Sequence, residues 1–233
     1  MHTQAITRQW IPRTAELTLA AGLAATYVIT TFIPLTPFIG GPAFITLEIV
    51  MLPVIAAVLR PIPALATAFV GSLGMALGQP SFYQAFGLPG LLVPMIAAGA
   101  GSVAFHYGLG PILPWAYVLA GAAYYIALSR GGTLFWLIPY LLVIISLPAA
   151  FRLKENPRIG ILTFYTAMTE QVSLNILSIS LLSLTGPVWL GITPLMYLER
   201  TIATFGGAAG IVALKSALGG RLDIAKRIRK EVR

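Results

Sequence analysis

The stretch AELTLAAGLAATYVITTFI, Ala15 to Ile33, decides the fold class. Its one charge is Glu16, at the very start. A helix needs about 17–25 consecutive apolar residues to cross a bilayer, and this run supplies them. It is apolar on all sides, whereas a barrel strand alternates apolar and polar residues, so a closed β-barrel is not expected. The small residues Ala20 to Ala25 mimic a signal-peptide cleavage site. The run continues past them through Tyr27, Ile29 and Phe32, too long for an ordinary signal h-region, and reads as an uncleaved first helix.

Working outward, similar runs fall near 15–33, 44–59, 62–78, 89–106, 112–128, 134–151, 160–184 and 190–214. Proline and glycine punctuate the gaps, as in Pro34/Pro37/Gly40/Gly41/Pro42, Pro61/Pro63, Pro80/Gly87/Pro89 and Gly186/Pro187/Gly191. The chain is 58% hydrophobic and 9% charged, against about 25% charged in a soluble domain. The expectation is an all-α polytopic transmembrane helix bundle of six to eight helices, with eight the best count. It would be a multi-pass protein of the cell membrane. Residues 1–220 form the single transmembrane domain and 221–233 a basic amphipathic cytoplasmic tail.

The net charge of +8 follows topology rather than nucleic-acid binding. With the N-terminus inside, Arg8, Arg13, Arg60, Arg152, Lys154, Arg158, Lys215 and the basic tail all fall on inner segments. The outer loops hold Arg130 alone. That asymmetry places both termini in the cytoplasm. In the tail, Leu222, Ala225, Ile228 and Val232 share one helical face, suited to an anionic lipid surface or to a docked partner.

Several chemistries lack their parts. There is no cysteine, and the two histidines, His2 and His106, make no zinc site. Gly210 to Ser216 reads GIVALKS, with Leu214 where a phosphate-binding loop needs glycine, so no ATPase site is expected. Val70-Gly71-Ser72-Leu73-Gly74 lacks the first glycine of a nucleophile elbow. Asp223 is the only aspartate. Neither enzyme activity, nor a cofactor, nor a metal is expected.

The polar residues inside apolar segments carry the functional expectation, because a charge at membrane depth costs about 2.5–3.5 kcal/mol on insertion scales. These are Glu16, Glu48, Glu170, Glu199 and Arg200. Gln171 and Asn175, four apart, share a helix face, and Tyr197 is near Glu199. The outer loop Gln79–Gly87 adds Gln79, Tyr83 and Gln84 as a cover. Two readings stand. Glu170 or Glu199 pairs with Arg200 and locks helices together, with Trp189 in the interfacial belt; or the groups converge on a solute cavity in the outer half of the bundle. Small residues at Ala20/Ala24, Gly74/Gly78 and Gly206/Gly210 suit either internal helix packing or docking on another membrane subunit.

The stretch Pro34 to Gly78, PLTPFIGGPAFITLEIVMLPVIAAVLRPIPALATAFVGSLGMALG, resembles the substrate-binding S components of energy-coupling factor (ECF) transporters. The shared features are Ala20/Ala24, a Pro/Gly-rich outer loop at Gly40-Gly41-Pro42, Ile45–Glu48 followed by Leu52-Pro53, a short turn at Arg60–Pro63, and Gly71/Gly74/Gly78. Met168–Ile179 and the helix from Leu198 are similar to the family's last two helices. The family usually has six helices, and the extra pair here falls between residues 89 and 151. The resemblance implies a vitamin- or micronutrient-binding subunit with its solute near the outer face. It also implies partners: a scaffold transmembrane subunit, docked on Ala20 and Ala24, and two ATPase subunits. The competing expectation is a stand-alone ion-coupled permease with Glu170 or Glu199 as proton carrier.

Overall fold

The computed structural model describes residues 14–37, 44–78, 80–184 and 186–217. The tail 221–233, the glycine pair Gly40-Gly41 and Gln79 lie outside these residues. Apart from one small β-hairpin the described chain is helical.

Helix α1 (Thr14–Thr30) leads into the hairpin of β1 (Pro34–Pro37) and β2 (Phe44–Thr46), antiparallel with an irregularity between Pro34 and Thr36. A 3₁₀ turn, Leu47–Val50, follows, then α2 (Met51–Val58), α3 (Pro61–Gly78), α4 (Pro80–His106) and α5 (Ile112–Leu128). A second 3₁₀ turn, Leu134–Leu137, opens α6 (Ile138–Ile145), with α7 (Leu147–Arg152) directly after it. Then come α8 (Glu155–Leu177), a π-helical turn at Ser178–Leu182, and α9 (Gly186–Ala217).

The expected segment boundaries need correction in three places. The run 44–59 is not one helix: β2 and the 3₁₀ turn take its first residues, and α2 is short. Pro34 and Pro37 hold the preceding backbone extended, and β-branched Ile45 and Thr46 continue it as strand. Pro53 then falls in the first turn of α2, where its missing N–H costs nothing. Second, the expected loop Gln79–Gly87 is helical from Pro80, and Gly87, at φ 59°, breaks the helix before Pro89. That left-handed conformation is open to glycine and costly for other residues. Third, the run 134–151 is divided at Ser146, because Pro148 at the start of α7 removes a backbone donor.

Helix α8 is the centre of the molecule. Its side chains are buried almost without interruption from Leu162 to Asn175. Neighbouring helices come close because they present glycine to it: a Cβ on Gly101 of α4 would sit 2.4 Å from Thr166 Oγ1, and one on Gly121 of α5 2.4 Å from Val172 Cγ1. Much of what α8 buries is polar. Thr163, Thr166 and Thr169 are fully buried and donate to carbonyls one turn back on their own helix.

The outside is apolar. Leu77, Leu109, Leu134 and Phe205 are each more than two-thirds exposed. Among the described residues three stretches, Pro61–Gly78, Gln84–His106 and Leu134–Arg152, are long and apolar enough to cross a membrane. Helix α1 packs on α3 through the glycines of α3: Tyr27 and Val28 of α1, and Phe32 just beyond it, lie where Cβ atoms on Gly71, Gly74 and Gly78 would stand. Near its start, Glu16 accepts from the Arg60 guanidinium at 2.6 Å and from the Arg60 backbone N–H at 3.1 Å, tying α1 to the α2–α3 turn.

Candidate functional site

Two polar layers meet where α8 faces α9. The first is a buried ionic layer. Arg200 of α9 donates through Nη1 to Glu170 Oε2 at 2.7 Å and to the Ala167 carbonyl at 2.8 Å. Its Nη2 stands 3.6 Å from Glu199 Oε2. Both side chains of the Arg200–Glu170 pair are almost wholly buried. Glu48, in the 3₁₀ turn before α2, is buried within the fields of Glu170 and Arg200. Two carboxylates, Glu170 and Glu199, therefore flank one guanidinium, and Glu48 lies within range of its field. Among the described residues no cluster of histidine, aspartate and glutamate is arranged to hold a metal.

The second layer lines a cavity of about 50 Å³, room for several water molecules. Gln171 and Asn175 face it from α8, Glu199 from α9, Trp136 from the 3₁₀ turn before α6, and Trp189 from the first turns of α9. Pro37 and Ile45 of the hairpin close one side. The amides form a directed chain: Gln171 Nε2 donates to Asn175 Oδ1 at 2.9 Å, and Asn175 Nδ2 donates to the Tyr140 hydroxyl. The Thr36 hydroxyl of β1 donates to Glu199 Oε1, which fastens the hairpin over the cavity.

The wall behind these groups is aromatic. Trp136 and Trp189 meet at 69° with centroids 5.0 Å apart. Tyr125 stacks on Trp136 at 6.2 Å and meets Trp189 edge-on at 5.2 Å. Offset and edge-to-face contacts of this kind are the favoured ring geometries and hold the indoles rigid.

Several hydrogen-bonding atoms in these layers are left open among the described residues. They are the indole N–H of Trp189, Gln171 Oε1, Glu48 Oε2 and Nε of Arg200, whereas the Trp136 indole N–H is directed at the Tyr140 hydroxyl. A buried donor or acceptor left unmade costs about 1–3 kcal/mol, and native proteins keep such groups few.

The residues expected from sequence divide by place. Gln171, Asn175 and Glu199 line the cavity; Glu48, Glu170 and Arg200 form the ionic layer beside it. Tyr197 turns away: it lines an apolar groove with Phe164 and Phe205, and its hydroxyl donates to the Phe135 carbonyl. Gln84 is exposed on α4, and Tyr83 is in the first turns of that helix. Ala20 and Ala24 border a shallow apolar groove with Ile62, Pro63 and Ala66 of α3. The structure adds Thr36, Tyr140 and Trp136, which sequence reasoning missed. A tryptophan just after a Gly-Gly turn was a usable signal for Trp136. Thr36 and Tyr140 have partners 163 and 35 residues away and carried none. No protein-family model, curated protein or solved structure matches this chain.

Proposed function

We propose that this chain is a multi-pass protein of the cell membrane, with both termini cytoplasmic, whose α8–α9 cavity binds a small solute for uptake. In this reading it is the solute-binding subunit of an ATP-dependent, ECF-type transporter for a vitamin or related micronutrient. A scaffold membrane subunit and two ATPase subunits supply the energy, and the chain catalyses no reaction itself.

The observation that carries the reading is the cavity's make-up. Buried amide, carboxylate and indole groups converge on one space, and two of the polar atoms around it, Gln171 Oε1 and the Trp189 indole N–H, are open. A core built only for stability leaves few such atoms. A solute site requires convergent polar groups on an apolar wall. The apolar exterior around a polar centre supports a lipid setting, since lipid solvates what water would not. The S-component resemblance supports the division of labour.

The test is twofold. Small molecules co-purifying with the chain are identified by mass spectrometry, and uptake of the bound compound is measured in vesicles with and without the partner subunits and ATP. Uptake that needs partners and ATP supports the reading. The second reading, an ion-coupled permease, draws on Glu199, which lines the cavity and so can exchange protons with its contents. Uptake by the chain alone that collapses with an uncoupler would establish that reading and refute the first.

A further inference from the structure

The turn between α7 and α8 carries more positive charge than its surroundings neutralise. Phe151-Arg152-Leu153-Lys154-Glu155 runs from the end of α7 into the start of α8, and Arg158 follows one turn on. Lys154 and Arg158, four apart, and Glu155 and Arg158, three apart, are neighbours on one helix face. Lys215, near the end of α9, bonds to Glu155 and so brings a fourth cation to the cluster. Glu155 is the one acid from 151 to 158, and Lys215 engages it. Among the described residues Arg152, Lys154 and Arg158 make no ion pair, and Arg158 Nε is buried without a hydrogen-bond partner. The turn between α2 and α3 differs, because Arg60 there is closed by Glu16 at 2.6 Å.

A half-buried guanidinium with no counter-charge attracts an anion. Phosphate suits this one: an arginine fork grips two phosphate oxygens at once, and lysine adds a point charge beside it. The apolar neighbours select the source of that phosphate. Phe151 and Leu153 alternate with the cations and are each 41% exposed. A free phosphate ion would satisfy the cations and leave these two side chains in water. An anionic phospholipid satisfies both, with its phosphate at the cations and its acyl chains along Phe151 and Leu153. The argument rests on the multi-pass reading, which puts the α7–α8 turn at the inner membrane surface, and not on the solute cavity.

We infer that the α7–α8 turn, with the end of α9 beside it, binds the phosphate of an anionic phospholipid. Arg158 holds the phosphate in its fork, Arg152 and Lys154 flank it, and Lys215 adds its charge while keeping Glu155 engaged. A lipid held there joins the ends of α8 and α9, the two helices whose contact builds the polar layers.

The full-length chain in neutral detergent is titrated with phosphatidylglycerol, phosphatidylcholine and inorganic phosphate, and bound molecules are counted by native mass spectrometry. Phosphatidylglycerol is expected to bind about tenfold more tightly than phosphatidylcholine, whose own ammonium offsets its phosphate. Arg158→Gln lowers phosphatidylglycerol affinity about tenfold, the value of a charge-assisted bond. Arg152→Gln and Lys154→Gln each lower it about fivefold, the value of one cation near an anionic headgroup. Arg158→Lys keeps the charge but not the fork, and loses about fivefold. Arg130→Gln changes nothing, since its neighbour Gly131 packs on Gly186 at the far end of α9. Native affinity in Arg158→Lys, or an equal loss in Arg130→Gln, overturns the site in favour of general surface charge. A preference that survives every Arg158 variant and vanishes in Lys226→Gln/Arg227→Gln/Arg229→Gln/Lys230→Gln belongs to the tail and overturns it as well. Inorganic phosphate that displaces phosphatidylglycerol at equal concentration overturns the lipid as occupant. Thermal midpoints report folding, and if Arg158→Gln does not fold, Arg152→Gln and Lys154→Gln decide. The premise is tested separately with Asn156→Cys in this cysteine-free chain. An impermeant maleimide is expected to label it from the inner side of oriented vesicles, and labelling from the outer side overturns the inner placement.

Discussion

Removing Arg200 tests the ionic layer most directly. In Arg200→Met the methionine fills much of the space, but Glu170 loses a 2.7 Å charge-assisted bond while its side chain is only 6% exposed. Removing one partner of a buried pair costs about 3–5 kcal/mol, because the other charge is left uncompensated. The geometry places this variant at the upper part of that range, since the Ala167 carbonyl also loses its 2.8 Å donor. The reciprocal variant differs. In Glu170→Gln the guanidinium still has Glu199 Oε2 at 3.6 Å, and a small rotation of either side chain brings the two into contact. That substitution therefore costs less, about 1–3 kcal/mol, the value of a hydrogen bond to a charged group. Combining the two removes the stranded carboxylate, so the cost of the double variant falls short of the sum of the two single costs by about 2 kcal/mol, a coupling typical of directly bonded residues. The assay is equilibrium unfolding in mixed micelles of sodium dodecyl sulfate and a mild detergent, followed by helicity. A double variant as unstable as the sum of the single ones would mean that the pair is not coupled, and the ionic lock would be refuted.

Three further outcomes follow from single contacts. Gly71→Ala places a Cβ 2.4 Å from Cδ1 of the fully buried Tyr27, and overpacking of this kind costs about 1–3 kcal/mol. Gly22→Ala meets nothing within 4 Å and is expected to stabilise by about 0.5–1 kcal/mol; the same micelle titration checks both, and equal signs would refute the close packing of α1 on α3. Glu16→Gln weakens the pair with Arg60, whose side chains are 15% and 26% exposed; near the surface that is worth under about 1 kcal/mol, and the difference from the native chain shrinks as salt rises. Ala20→Leu, on the open groove of α1, is expected to reduce partner-dependent uptake and leave solute binding by the isolated chain unchanged; unchanged uptake would assign the groove to lipid.

Hydrophobic runs made the helices legible because outward-facing and core-facing residues are both apolar, so no amphipathic phase is needed to see them. The same property hid where the runs break. Phe44–Thr46 is as apolar as a helix start, and only its pairing with Pro34–Pro37 makes it a strand. The break at Gly87 depends on one dihedral angle, and the π-helical turn at Ser178–Leu182 on hydrogen bonds shifted by one residue; composition records neither. In the site, Glu48, Glu170, Gln171, Asn175, Glu199 and Arg200 were visible because a polar group in an apolar run needs a reason to be there. Tyr140 and Thr36 were not, and Trp136 had only its place after the Gly131-Gly132 turn to mark it. Hydroxyls and indoles are common at membrane interfaces, so their presence carries no such demand, and only the fold brings them to Asn175, Glu199 and Trp189.

The two readings of the buried charges, ionic lock and solute cavity, share Glu199 and otherwise fall on different residues, for a geometric reason. Neighbouring residues on an α-helix point about 100° apart. Glu170 and Gln171 are neighbours on α8, and Glu199 and Arg200 are neighbours on α9. Where the helices face each other, Glu170 meets Arg200, while Gln171 and Glu199 line the adjoining cavity. One helix–helix contact thus holds a closed ion pair and an open polar pocket side by side. Stability and binding then separate by mutation. Arg200→Met lowers stability first, and binding only as the fold loosens. Glu199→Gln keeps the shape and the acceptor for Thr36 and weakens only the 3.6 Å pair with Arg200, so it lowers affinity at a smaller cost in stability than Arg200→Met. If Glu199→Gln destabilises the chain as much as Arg200→Met does, Glu199 belongs to the lock, and the pocket loses its acceptor.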